Sequence, residues 1–160
     1  MEDAANELTP LTRQLLQDLY ERLVALDERI TRCDQRLRQI HQHTPTSCKL
    51  EKVRGVGPLI ATAVLASAGD AKDFKNGRQF AAWLGLVPRQ HSSGGKPRLF
   101  GITKRGDKYL RTLLVHGARA VVSQASRRDD GFSRWINQVR ARRGMNIVVV
   151  AVANKTARVL

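Results

Sequence analysis

Val53-Arg54-Gly55-Val56-Gly57-Pro58-Leu59-Ile60-Ala61 closes one helix and opens the next, in the form of a helix-hairpin-helix turn. Two glycines allow the chain to turn tightly and let a phosphate come close to the backbone. Pro58 suits the first position of a helix, whose free N–H groups then face that phosphate. Ala61, Ala63, Ala66 and Ala68 make a small-residue helix that permits close packing, and Gly69-Asp70 ends it. An ordinary helical corner would also place glycine here, but Lys52 and Arg54 favour the phosphate reading. Such hairpins hold nucleic-acid backbones without reading sequence, with Arg54, Gly55 and Gly57 as the contacting residues. The pair is expected over about residues 50–69.

N-terminal to this turn, Leu16, Leu19, Leu23, Leu26, Ile30, Cys33, Leu37 and Ile40 alternate steps of three and four. A stripe this strict is a coiled-coil seam rather than a broad amphipathic face, which favours self-association over packing on its own domain. Thr9 is the expected N-cap with Pro10 at the first helical position, and Thr44-Pro45-Thr46-Ser47 ends the helix. Residues 1–46 are thus read as a coiled-coil arm and 47–160 as a helical domain. Cys33, His41, His43 and Cys48 match no standard zinc spacing, so no metal site is assigned and both cysteines are ordinary thiols.

Charge follows the same division. The chain has 160 residues and a net charge of +14; residues 1–50 hold 7 basic and 8 acidic groups, the remainder 21 and 6. A folded domain with such an excess implies a polyanionic partner. No run reaches the roughly 20 apolar residues of a membrane span, and the acidic N-terminus is unlike a signal peptide. Two cysteines make no disulfide framework, so a cytoplasmic, nucleoid-associated setting is expected.

Beyond the turn, residues 76–86 read as a short helix with Phe80, Trp83 and Leu84 on its apolar side, more suited to core than to base stacking. Residues 88–106 hold two prolines and four glycines and are expected to form a loop. Within it, Ser92 and Ser93 precede Gly94-Gly95 among Lys96, Arg98, Lys104 and Arg105. A hydroxyl among cations suits attack on a phosphodiester, because charge grows on the phosphoryl oxygens in the transition state. From composition alone, a loop that only grips phosphate is the commoner case, and His91 is a weak candidate for a base. Residues 107–126 are expected to form an amphipathic helix, with Leu110, Leu113, Leu114, Ala118 and Val121 inward, Lys108, Arg111 and Arg119 outward, Lys108 and Arg111 counted among the nucleic-acid contacts, and Gly117 admitting a neighbour. A further helix ends in Arg140-Ala141-Arg142-Arg143, read as a phosphate track, and residues 146–160 as a buried helix. The fold class is all-α.

The blocks Gly55-Val56-Gly57-Pro58, then residues 74–96 (Phe74-Lys75-Asn76-Gly77-Arg78-Gln79-Phe80 through Ser92-Ser93-Gly94-Gly95-Lys96), and Ile102-Thr103-Lys104-Arg105-Gly106-Asp107-Lys108-Tyr109-Leu110-Arg111 strongly resemble the bridge-RNA-guided insertion-sequence transposases. That family joins a RuvC-like DEDD domain to a C-terminal serine domain, and the resemblance covers nearly the whole chain. It implies that a serine attacks DNA and becomes covalently linked during strand exchange. The matching residue is Ser93, with Ser92 as the adjacent alternative. It also implies DNA and a guide (bridge) RNA as partners, and Mg²⁺ held by RuvC-like acids upstream of the coiled coil. This chain has no counterpart of those acids; Glu51, Asp70, Asp73, Asp107, Asp129 and Asp130 are scattered, with Asp129-Asp130-Gly131 read as a turn. The expectation is a fragment of a longer transposase, or a decayed copy, that binds nucleic acid but is inactive alone. A purely binding helix-hairpin-helix module and a coiled-coil assembly piece are the alternatives.

Overall fold

The computed structural model describes residues 8–92 and 96–160. Its contacts divide the chain into two units, Met1–Gln39 and Ile40–Leu160.

The first unit is helical. Helix α1 runs Pro10–Gln42, so its last turn belongs to the second unit. Thr9 caps it as its spacing predicts: its Oγ1 accepts the Thr12 N–H at 3.3 Å. Along the apolar stripe, Leu19, Leu23, Leu26 and Ile30 remain 60, 55, 55 and 57% exposed. The stripe is therefore an uncovered surface in the single chain.

The second unit is predominantly all-α. Helices α2 (Pro45–Glu51), α3 (Pro58–Ala68), α4 (Gly77–Trp83), α5 (Lys108–Gln124), α6 (Gly131–Arg142) and α7 (Met145–Ala157) surround one core. Two short 3-10 turns, Ala71–Asp73 and Ala125–Arg127, link them. Pro45 both stops α1 and starts α2, so the helical pair begins earlier than residue 50. Around the α1–α2 corner, the His41 Nδ1 lies 2.7 Å from Ser47 Oγ and its Nε2 3.0 Å from Glu51 Oε2. His41 is buried and Ser47 fully so.

Helix α5 is the central element and packs on α3 and α7. Its Leu110, Leu114, Ala118, Val121 and Val122 are buried, matching the inward face set by its 3.6-residue spacing, whereas Leu113 is only partly covered. Leu84, Leu86, Ile136, Val148 and Val152 complete the enclosed centre. Each such side chain contributes about 1.5–3 kcal/mol by leaving water. Helix α7 matches its reading as a helix, but only one side is buried: Val148, Val149, Val152, Ala153, Thr156 and Ala157.

Residues 88–106 depart from the loop expectation. Strands β1 (Pro88–Gln90) and β2 (Leu99–Ile102) pair antiparallel, Pro88 with Ile102 and Gln90 with Leu99, with an irregularity between. Proline is tolerated because it opens an edge strand, where its missing N–H breaks no ladder bond. Gly101 lies within β2, and the two strands pair around it. At the hairpin's base, Gly106 has φ +99°, and a Cβ there would run into the Trp83 carbonyl. That contact fixes where the hairpin leaves the helical core.

Candidate nucleic-acid interface

The α2–α3 turn is set by glycine geometry. Gly55 has φ +86°, and a Cβ on it would come within 2.8 Å of Val121 Cγ2 and 3.0 Å of the Gly117 carbonyl oxygen. Gly117 is equally constrained, since a Cβ there would strike the Gly55 carbonyl. The two glycines thus let the turn lie directly on α5, and Gly55 is explained by packing. Gly57 is different: it is extended, faces open space and caps α3 without any side chain. The start of α3 thus has no side-chain cap at half-buried Gly57.

Arg54 is half-buried and tied to α6. Its Nη1 donates to Asp130 Oδ1 and Oδ2 at 3.2 and 3.1 Å and to Ser133 Oγ at 3.2 Å. Its guanidinium also stands 5.6 Å from the centre of the Phe132 ring. Asp130 is the N-cap of α6, accepting the N–H groups of Phe132 and Ser133. Its carboxyl is held well below the usual carboxylate range, chiefly by the Ser133 hydroxyl and then by the Ser133 N–H; burial opposes them, and Arg54 adds a smaller downward push. Arg111 is likewise half-buried, its Nη1 donating to the Leu84 carbonyl at 3.0 Å.

The hairpin cations lie outside. Lys96, Arg98, Lys104 and Arg105 are all exposed, and Lys108 is exposed at the start of α5. None of the five has an ion pair among the described residues. Lys104 adopts φ +56°, the one non-glycine residue at positive φ among those described. Ser92 is exposed, and its Oγ accepts from Gln90 Nε2 at 2.8 Å and from the Arg98 N–H at 3.3 Å. Ser93, with Gly94 and Gly95, lies outside the described residues. The exposed His91 ring packs edge-on against Phe100, with centroids 5.4 Å apart. Arg140, Arg142 and Arg143 are exposed around the end of α6 and just beyond it.

Between the hairpin and the open side of α7 runs a groove that sequence reading missed. Arg89, Lys104, Arg143, Lys155 and Arg158 line it, and no acidic residue does. Its apolar lining includes Leu99, Phe100, Ile147 and Val159, which are 64, 51, 56 and 65% exposed. Trp135 also faces it, stacked on Phe132 with planes 9° apart, and Lys155 Nζ lies 4.4 Å from the Trp135 ring centre. Asn154 ties α7 to the chain entering the hairpin by donating to the Leu86 carbonyl at 3.0 Å. The available signal was the spacing Ile147, Ala151, Asn154, Arg158, which marks a second face on a helix otherwise read as buried.

Phe80 is core, as its spacing predicts, whereas Trp83 is 36% exposed while packing on Phe74 and Phe80. The scattered acids serve local structure: Asp70, Asp107 and Asp130 cap helical turns, and Glu51 meets His41. No group of three potential metal ligands forms among the described residues, so these acids do not fit a magnesium site. No described helix is long and apolar enough to cross a membrane.

Residues 48–133 match the family described as Transposase IS116/IS110/IS902 family. The chain is 52% identical over 162 residues to a protein of Pseudomonas aeruginosa named "Probable family 20 transposase", covering 98% of this chain and 47% of that protein. It is 43% identical over 153 residues to the "Transposase for insertion sequence element IS1111A" of Coxiella burnetii, covering 96% and 42%. A third relative, the "Transposase for insertion sequence element IS1328" of Yersinia enterocolitica, is 37% identical over 154 residues, covering 96% and 46%. The chain spans less than half the length of each of these relatives. With a match over more than half of its residues, it belongs to the IS116/IS110/IS902 transposase family.

Proposed function

We propose that this chain is the portion of a DNA transposase that grips DNA and supplies a serine nucleophile for strand exchange. The observation that carries the reading is the hairpin itself, which presents exposed Lys96, Arg98, Lys104 and Arg105 together with exposed Ser92, the residue that precedes Ser93 in the sequence of a transposase-family chain. In this reading Ser93 Oγ attacks the phosphorus of a phosphodiester. The Oγ–P bond forms while one bridging P–O bond breaks, and the departing DNA oxygen takes a proton equivalent to the one serine loses. A hydroxyl of a second strand then attacks phosphorus and releases Ser93, so the bond energy of the diester is conserved. The cations would offset charge growing on the phosphoryl oxygens. The start of α3, which no side chain caps, would hold a backbone phosphate.

The uncovered stripe of α1 supports self-association. Burying each leucine against a partner helix would contribute about 1.5–3 kcal/mol. A guide RNA belongs to the same proposal through the family resemblance, as does magnesium held by a part of the full-length protein outside this chain.

The decisive experiment places Ser93→Ala and Ser92→Ala in the full-length protein and measures DNA affinity and covalent DNA–protein capture separately. The expected result is unchanged affinity with capture lost in Ser93→Ala alone. Capture that survives Ser93→Ala excludes that nucleophile, and capture falling in step with affinity makes the hairpin a binding element only. Sedimentation of the 160-residue chain tests the α1 stripe; a mass that stays monomeric at every concentration refutes self-association.

A further inference from the structure

Resting on the proposal that this chain binds nucleic acid, we infer that the groove between the β1–β2 hairpin and α7 is a seat for unpaired bases of a single strand. Its lining combines two properties that a duplex cannot use together. The cations Arg89, Lys104, Arg143, Lys155 and Arg158, unopposed by any acid in the lining, match a polyanion. Between them lies apolar surface, with Phe100 half exposed and Leu99, Ile147 and Val159 more than half exposed. A duplex presents phosphates and polar base edges, and its base faces are stacked inside, so apolar surface gains nothing from it. An unpaired strand offers its base faces to aromatic and aliphatic groups while its phosphates reach the cations.

Phe100 is the stacking platform. It stands on β2, and His91 supports it edge-on at 5.4 Å. Trp135 lines the same groove and is held by its stack on Phe132, so it reports occupancy. Lys104 belongs both to the groove and to the hairpin cations. A strand in the groove therefore passes the base of the hairpin that carries the serine segment.

The test uses the 160-residue chain with labelled oligo(dT), oligo(U) and a duplex of the same length. Anisotropy gives affinity and tryptophan fluorescence gives occupancy. Both single strands are expected to quench fluorescence and the duplex much less. Phe100→Ala, a change at an exposed side chain, should weaken single-strand binding roughly tenfold and leave duplex binding almost unchanged. Arg158→Glu should act in the same direction. Tighter binding of oligo(U) would assign the seat to RNA, and tighter binding of oligo(dT) to displaced DNA. Duplex binding with no effect of Phe100→Ala overturns the seat while leaving the DNA-binding proposal intact. Failure to bind any of the three overturns both. Quenching by polyglutamate but not by oligo(dT) or oligo(U) would make the groove a site for an acidic peptide and overturn the inference.

Discussion

At the α2–α3 turn, Arg54 faces the Asp130 carboxylate at 3.1 Å; on the hairpin, Lys96, Arg98, Lys104 and Arg105 face no anion among the described residues. The turn and the hairpin are both basic, both contain glycine and both come from the sequence as phosphate-binding candidates. The fold separates them. At the turn, glycine serves contact with α5 and the arginine neutralises the cap of α6. At the hairpin, Lys96 and Arg98 stand before β2 and Lys104 and Arg105 after it, exposed and without an ion pair among the described residues. Basic composition reports how many cations exist, and tertiary structure decides which remain free for a ligand.

The sharpest way to break this contrast is Gly55→Ala. The new Cβ meets Val121 and Gly117 and must adopt φ +86°, so a loss of about 2–4 kcal/mol is expected from strain and overpacking. Urea unfolding measures it, and an unchanged midpoint would show that the turn does not depend on that contact. Next comes replacement of Lys96, Arg98, Lys104 and Arg105 by alanine together. Duplex binding should lose about 3–4 units of its log–log salt slope, with the unfolding midpoint little changed.

Arg54→Met should do the opposite, lowering stability modestly and leaving the salt slope in place. The same pair has a pH signature. Asp130 binds its proton less readily folded than unfolded, so its contribution is present above the usual carboxylate range and is lost as pH falls through its depressed folded value. Asp130→Asn should therefore flatten the acid limb of stability below the usual carboxylate range; an unaltered limb would refute the assignment. The smallest effect is expected from Lys104→Gly. Relief of the left-handed backbone should raise stability by up to about 1 kcal/mol, while the salt slope falls by about one unit. A gain in stability with no change in slope would remove Lys104 from the interface.

Elements written in local spacing were legible in the chain. The steps of three and four in α1, the Thr9 cap and the inward face of α5 depend on residues within a few turns of one another. The arginine's partner was not legible, since 76 positions separate Arg54 from Asp130. The hairpin was hidden because its strands are three and four residues long and are interrupted by glycine and proline signals. The groove needs residues 88–104 beside residues 135–159, an adjacency created only when Asn154 and the core bring α7 to the hairpin. The α1 stripe shows the converse: its pattern was plain, but a pattern in one chain carries no information about how many chains share it.

The corner between α1 and α2 bears on how covalent chemistry in this protein can be read. Ser47, His41 and Glu51 stand in a hydroxyl–imidazole–carboxylate line with separations of 2.7 and 3.0 Å. In an open cleft that line would make Ser47 a reactive hydroxyl toward electrophilic phosphorus reagents. Its complete enclosure makes it silent. Mass-spectrometric mapping of a phosphoserine adduct on the folded chain therefore need not contend with Ser47, the one described serine held by an imidazole–carboxylate pair, and an adduct found there would report unfolding rather than chemistry.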